Sequence, residues 1–138
     1  MAGNNDPIYS RVGAIGLNTG ITSAQNTYDG AGANDTLVFT ADATNGSFVQ
    51  RLRFKAKGTN VATVARIYIN NGSANTTAAN NVFYGELSLP ATTASAASST
   101  GDFDYPLNFA LPAGWKLYVG LGTAVAAGWT VSTIAGNY

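Results

Sequence analysis

The stretch Phe48-Val-Gln-Arg-Leu-Arg-Phe-Lys-Ala56 decides the fold class of this chain of 138 residues. From Arg51 onward, cationic and apolar side chains alternate with a period of two, which places them on opposite faces of a β-strand. A helix would need apolar residues about every 3.6 positions, and no window of the chain sustains that spacing. We therefore expect a strand whose buried face carries Phe48, Leu52, Phe54 and Ala56.

Other stretches show similar alternation, at residues 8–15, 35–41, 61–69, 82–89, 103–111, 117–121 and 129–133. Turn signals separate them, among them the pair Asn45-Gly46 and the stretch Leu111-Pro-Ala-Gly114. Short strands with turns between them are typical of two packed antiparallel sheets. The sequence thus predicts one all-β domain over residues 1–138, a two-sheet β-sandwich of the jelly-roll type with about eight strands.

The segments between these runs differ in character. Residues 1–17 are loosely patterned, and we interpret them as an N-terminal arm. Polar loops at 17–35, 70–81 and 91–100 are expected to drape over a partner and to become ordered only there. The Ala/Ser/Thr stretch at 91–100 is of low complexity and predicts an exposed loop. Pro106 lacks a backbone N–H, so its strand is expected at a sheet edge or at a bulge.

The composition excludes several classes of function. The chain has no His and no Cys, and seven Lys or Arg balance seven Asp or Glu. Most proton-transfer, thiol and transition-metal chemistry lacks its usual residues, so we expect no enzyme, catalytic residue, cofactor or metal site. A formal net charge of zero predicts no nucleic-acid and no membrane partner. The first residues are neither basic nor apolar, so we expect no secretory signal and synthesis in a cytoplasm.

Some side chains allow a chemical interpretation beside a structural one. Asp102 and Asp104 share a strand face, which suits a hydrolytic acid pair, a Ca²⁺ site or a solvated junction between turn and strand. Glu86 is either a catalytic acid in an apolar pocket or an outward-facing strand residue. The aromatic residues, with Trp115 and Trp129 among them, are either a sugar-stacking platform or core and interface anchors.

The most distinctive charged feature is a cationic ladder, four of the seven cations at a spacing of two: Arg51, Arg53, Lys55 and Lys57. On a strand these side chains project from one face, opposite the apolar ones. They are either a solvated face that discourages edge-to-edge pairing or a surface that meets an acidic partner. Nucleic acid is disfavoured as that partner, because aromatic residues do not alternate with the cations.

Several stretches resemble a known family. The clearest lie in the last third, at Leu111-Pro-Ala-Gly-Trp-Lys-Leu-Tyr-Val119, 122–129 and 135–138, with further ones at 18–22, 66–73 and 86–93. Over residues 15–138 the chain resembles the capsid cement, or decoration, proteins of tailed bacteriophages, including the jelly-roll cement protein of a Bordetella podophage. The matching motifs are turns and strand ends, and they carry over no binding residues.

The resemblance implies a virion structural protein on the outer surface of an icosahedral phage capsid. Such a protein would bridge neighbouring subunits of the major capsid protein and associate with itself as dimers or trimers. Assembly would take place in the host cytoplasm. Two alternatives from other classes stay open: a carbohydrate-binding jelly-roll module of a phage head fibre or surface protein, and a glycan-cleaving enzyme built on Asp102, Asp104 and Glu86.

Overall fold

The computed structural model describes residues 9–138, and the first half of the predicted arm lies outside this range. Within it the chain forms eight strands and one short 3-10 helix at Ala78–Asn80. The strands are β1 (Val12–Ile21), β2 (Thr36–Thr40), β3 (Ser47–Ala56), β4 (Thr63–Asn70), β5 (Asn81–Leu89), β6 (Asp102–Leu111), β7 (Lys116–Leu121) and β8 (Trp129–Asn137). No helix in the described range is long and apolar enough to cross a bilayer.

The strands form two antiparallel sheets of four. The chain folds back on itself at the loop between β4 and β5, so that β4 pairs with β5, β3 with β6, β2 with β7 and β1 with β8. The four strand pairs then roll up together, so that β3 also pairs with β8 and β4 also pairs with β7. The resulting strand orders are 1-8-3-6 and 2-7-4-5. This is the jelly-roll arrangement, and the predicted fold class is confirmed.

The core lies between the two sheets. Trp129, Phe54 and Leu52 from the 1-8-3-6 sheet are fully buried, as are Ile67 and Val119 from the 2-7-4-5 sheet. The indole of Trp129 also packs edge-on against the ring of Phe103, with ring centroids 5.7 Å apart. Burial of each such side chain stabilises the fold by about 1.5–3 kcal/mol, so the inward-facing half of each strand dominates stability.

A bulge in β3 overturns part of the predicted face of that strand. The pairing register with β6 and with β8 shifts between Val49 and Arg51. Leu52 and Phe54 are buried as predicted, but ahead of the shift it is Val49 that is buried, while Phe48 is half-buried. One extra residue in a bulge reverses which side chains face the core, and the alternation in the sequence does not show where it is.

The same irregularity continues into the neighbouring strand. β6 is the outermost strand of its sheet, and Pro106 lies beside the register shift. Asn108, two residues further on, has a backbone φ of 52°, in the left-handed region. Pro106 therefore occupies a strand that is both at an edge and bulged, and each of these was predicted from its missing N–H.

The first strand corrects the predicted arm and the predicted loop at 17–35. β1 pairs with β8 from Val12 onward, so residues 12–17 belong to the sheet, and the loop begins only at residue 22. The inward positions of β1 include Gly16, where an added Cβ would lie 2.3 Å from the carbonyl oxygen of Val38 in the opposite sheet. Small inward residues let the two sheets approach closely, and they give no apolar alternation to detect.

One buried side chain joins three loops at one end of the sandwich. Asn60 Oδ1 accepts hydrogen bonds from the backbone N–H groups of Ala127 (2.9 Å) and Gly128 (2.8 Å). Its Nδ2 donates to the Gly128 carbonyl oxygen (3.0 Å). Its backbone also exchanges hydrogen bonds with that of Thr92, at 3.1 and 2.9 Å. Asn60 thus satisfies polar groups that the surrounding loops would otherwise bury without partners.

We expect Asn60→Ala to lower the free energy of unfolding by about 2–4 kcal/mol, because it leaves two buried N–H groups without acceptors. Urea unfolding followed by tryptophan fluorescence measures this. Asn71→Ala is the matched control, since Asn71 is exposed in the β4–β5 loop and its replacement should lose no more than about 1 kcal/mol. Similar losses in both variants would contradict the proposed role of Asn60.

Candidate interaction surfaces

The outer face of the 2-7-4-5 sheet is covered by the chain itself. Residues 22–35, hereafter the strap, cross this face between β1 and β2. The backbone N–H of Gln25 donates to the Leu121 carbonyl oxygen (2.7 Å), which attaches the strap to β7. Asp35 packs over Gly120, where an added Cβ would meet its Oδ1 at 2.2 Å. The strap therefore lies in direct backbone contact with the sheet.

Two large side chains of β4 hold the middle of the strap. The guanidinium of Arg66 donates to the Gln25 carbonyl oxygen (2.9 Å) and lies 4.1 Å from the centroid of the Tyr28 ring. The hydroxyl of Tyr68 donates to the Thr27 carbonyl oxygen (3.0 Å). Burial, with a smaller contribution from the Asp35 carboxylate, raises the pKa of Tyr68 to about 12. Hydrogen bonds and a cation–π contact thus hold the strap against the outer face of β4.

The expectation that the loops at 17–35 and 70–81 become ordered only on a partner is wrong. Asn81 Nδ2 donates to the Asp29 carbonyl oxygen (3.1 Å), and Asn75 Nδ2 donates to that of Gly30 (3.2 Å). The β4–β5 loop is thus attached to the strap, and each supports the other. By contrast, residues 91–100 are exposed except at Thr92, which is buried against Asn60, and at Thr100.

The outer face of the 1-8-3-6 sheet carries the cationic ladder, paired with carboxylates of β6. Arg53 faces Asp104 directly across the strands and donates to both of its oxygens, from Nε at 2.8 Å and from Nη2 at 2.9 Å. Lys55 faces Asp102, with Nζ 3.0 Å from Oδ1. The structure therefore brings together two sets of candidate residues that the sequence analysis treated separately.

This pairing bears on the chemical interpretation of the carboxylates. The hydrogen bond from Arg53 lowers the pKa of Asp104 below its usual range. A catalytic acid needs the opposite shift, toward neutral pH. Glu86 is exposed on the outward side of β5, 3.7 Å from Nε of Arg66, as the alternation of that strand predicted. No group of three His, Cys, Asp or Glu that could hold a metal ion occurs among residues 9–138.

The other half of the ladder differs from the paired half. Arg51 is half-buried beside Ile134 of β8, and Lys57 is exposed just beyond the end of β3. Within the described range neither takes part in an ion pair. The ladder therefore presents two paired cations between two cations that have no ion pair in the described range.

The β1 half of the same outer face is apolar. Ile15 and Leu17 project outward from β1 and are 62% and 80% exposed. Ile15 lies directly beside Ile134, which continues the apolar strip onto β8. Leu37, at the adjoining edge of the other sheet, is 44% exposed and lines the same cleft as Ile15 and Leu17. An exposed aliphatic strip of this kind marks a candidate contact surface.

The aromatic residues lie mainly inside or at the β5–β6 edge. Trp129 is fully buried, and Trp115 packs against the core while half-buried. Tyr84 is 41% exposed and meets the rings of Tyr105 and Phe109 nearly at right angles. A sugar platform on the described surface would therefore rest on tyrosine, with Tyr84 as its centre.

Comparisons of the chain with protein-family models, with curated proteins and with solved structures find no match.

We expect Asp35→Asn to remove a contribution to stability that is larger at acid pH than at neutral pH. Burial raises the pKa of Asp35 above its usual range. The native state then binds this proton more tightly than the unfolded state, so the contribution is full below pH of about 4 and is lost as pH rises through the native pKa. The difference in unfolding free energy, wild type minus variant, should therefore grow as the pH falls from 7 to 4.

Asp104→Asn is the matched control for that titration, because the pKa of Asp104 is shifted the other way. Its contribution is present above the unfolded pKa and is lost as pH falls through the native pKa, so the same difference should shrink toward acid. Urea unfolding at several pH values measures both. Slopes of the same sign would contradict the two assignments.

We expect the double variant Arg53→Glu, Lys55→Glu to lower the midpoint of thermal unfolding, because it places carboxylates directly opposite Asp104 and Asp102. The fourfold swap combines Arg53→Asp and Lys55→Asp with Asp104→Arg and Asp102→Lys, and it should return the midpoint close to that of the wild type. Differential scanning calorimetry compares the three proteins. Equal midpoints for the double variant and the wild type would show that the ion pairs add nothing to stability.

Proposed function

We propose that this chain is a virion structural protein that binds the outside of an icosahedral phage capsid and cements neighbouring subunits of the major capsid protein. The observation that carries the proposal is the difference between its two outer faces. The strap covers the 2-7-4-5 sheet through Arg66 and Tyr68. In the described range the 1-8-3-6 sheet has no such cover and presents an apolar strip beside a charged ladder. We assign this second face to the capsid.

The chemistry of this face suits a lattice of many copies. Arg53 and Lys55 are already neutralised by carboxylates of their own chain, so only Arg51 and Lys57 are left to attract an acidic surface. Each contact would be weak, because exposed ion pairs contribute little in water. Many copies on one closed shell multiply weak contacts into firm attachment. A rigid sandwich therefore serves as a clamp without a deep binding site.

The resemblance to phage cement proteins supports the same proposal. Its clearest motif, residues 111–119, forms the turn between β6 and β7 and leads into β7, and residues 122–129 connect β7 to β8. The proposal includes the outer surface of the capsid as the location in the virion, assembly in the host cytoplasm, and self-association. It includes no enzymatic activity and no nucleic-acid or membrane partner.

The first test is mass spectrometry of purified phage heads, with the copy number relative to the major capsid protein. We expect a ratio near one, or a simple fraction of one, as a lattice-wide cement protein requires. A few copies per head would indicate a fibre or vertex component. Absence from the heads would refute the proposal.

The second test removes the two cations of the ladder that have no ion pair within residues 9–138. We expect the double variant Arg51→Gln, Lys57→Gln to bind heads that lack this protein more weakly than the wild type in a co-sedimentation assay at low salt, with the difference shrinking at high salt. Glu86→Gln, an exposed change on the other sheet, is the control. Unchanged binding of the double variant would show that the ladder is only a solvated face.

A second candidate function is a carbohydrate-binding module of a phage head fibre or surface protein. The observation that favours it is the exposed ring of Tyr84 beside Tyr105 and Phe109. Aromatic rings stack on sugar rings, although these three lie at steep angles to one another and offer no flat platform. Retention of the wild type on a glycan array, lost in Tyr84→Ala, would support this function, and no retention would exclude the glycans tested.

A further inference from the structure

The four edge strands of the two sheets differ in how they are protected against pairing with another chain. β6 carries Pro106, two carboxylates and a bulge, and β5 carries Glu86 and a register shift. β2 is only five residues long and also has a shift. Charges, prolines, bulges and short lengths are the devices that natural proteins use to block edge-to-edge association.

β1 has none of these devices over most of its length. It has ten residues, and none of them is charged or proline. Its pairing with β8 is regular from Val12 to Asn18, and the one shift comes at its end. Its outward side chains Ile15 and Leu17 are the apolar strip described above. An edge strand that is long, regular, uncharged and apolar can pair with a strand of another chain.

We propose that two copies of this chain associate edge to edge through antiparallel β1 strands, around a two-fold axis that passes near Ile15. We identify the partner strand as β1 of a second copy because β1 has no charged residue, so that pairing it with itself brings no like charges together. Around this axis Arg11 of one copy faces Thr19 of the other. Two-fold pairing of one surface with itself is also the commonest form of association between identical chains.

The side chains along β1 are complementary under this symmetry. A two-fold axis at Ile15 places Leu17 of each copy opposite Gly13 of the other. An added Cβ at Gly13 would meet no atom within 4 Å, so the space above it is open. The large exposed Leu17 can fill that space, while Ile15 packs against Ile15 of the second copy. Cross-strand pairs of this kind are the unit that stabilises a sheet.

The association makes one continuous eight-stranded sheet with the order 6-3-8-1-1-8-3-6. Because the axis is perpendicular to this sheet, both outer faces point the same way, with a cationic ladder toward each end. The dimer would present two docking faces to one capsid surface, which raises the strength of attachment through avidity. The dimer itself does not depend on the capsid proposal, since it is tested on the isolated protein.

Sedimentation equilibrium of the purified protein over about 1–500 µM tests the association. A contact through one strand is expected to bury less than the roughly 800 Å² per partner of a stable complex, so we expect a dissociation constant in the micromolar range. The wild type should change from monomer to dimer over this range. Leu17→Lys should weaken dimerisation at least tenfold, because it removes the apolar contact of Leu17 across the strands, and because a lysine on an edge strand opposes pairing.

Val82→Lys is the matched control, since Val82 is 62% exposed on the edge strand β5, and it should dimerise like the wild type. Thermal unfolding checks that both variants are folded. A wild type that stays monomeric up to 500 µM, or a Leu17→Lys variant that dimerises normally, would overturn the proposal while leaving the capsid proposal to its own tests.

The absence of Cys from the chain allows a second measurement. Ile15→Cys places two thiols directly opposite each other at the axis, within the reach of a disulfide. Under mild oxidation we expect a covalent dimer of Ile15→Cys and little of Val82→Cys. Equal yields from the two variants would overturn the two-fold pairing.

Discussion

The packing of two inner sheet faces against each other is the constraint on which the rest of this structure depends. The chain has no Cys and therefore no disulfide, and a core built around Trp129, Phe54 and Ile67 supplies most of the stability. Every strand must therefore give one face to the core. Only the outer faces and the edges of the sheets remain for contact with other molecules. One outer face is covered and the other is open, and the edges differ in how they are protected against pairing.

The two outer faces show this difference most clearly. On the 2-7-4-5 sheet, Arg66 and Tyr68 point outward and are buried, and the carbonyl oxygens of the strap accept hydrogen bonds from them. On the 1-8-3-6 sheet, Arg53 and Lys55 find their partners within the sheet itself, on β6. These two cations need no cover to find partners, so this part of the face can stay open. The same local pairing that stabilises it also lowers its net charge.

The sequence allowed the fold class to be predicted because long runs such as the one containing Leu52 and Phe54 alternate clearly. Prediction failed where the backbone departs from that period. The bulge after Val49 reverses the buried face, and Gly16 occupies an inward position without an apolar side chain. The pairing of Arg53 with Asp104 was missed because the two lie 51 residues apart, and only the strand register brings them together. In the sequence, the strap could have been inferred only from Arg66 and Tyr68, two large side chains at outward positions of β4 that need a covering segment.

The open face and the unprotected edge belong to the same sheet, and this has a geometric consequence. A contact through β1 extends the sheet sideways and leaves its outer face free, because backbone hydrogen bonds lie in the plane of the sheet while side chains project from it. Self-association therefore uses the backbone edge of β1 and docking uses the outer face, and the side chains of Ile15 and Leu17 contribute to both. A clamp that must join its neighbours and hold a flat surface needs this separation, and a jelly roll with one covered sheet and one open sheet provides it.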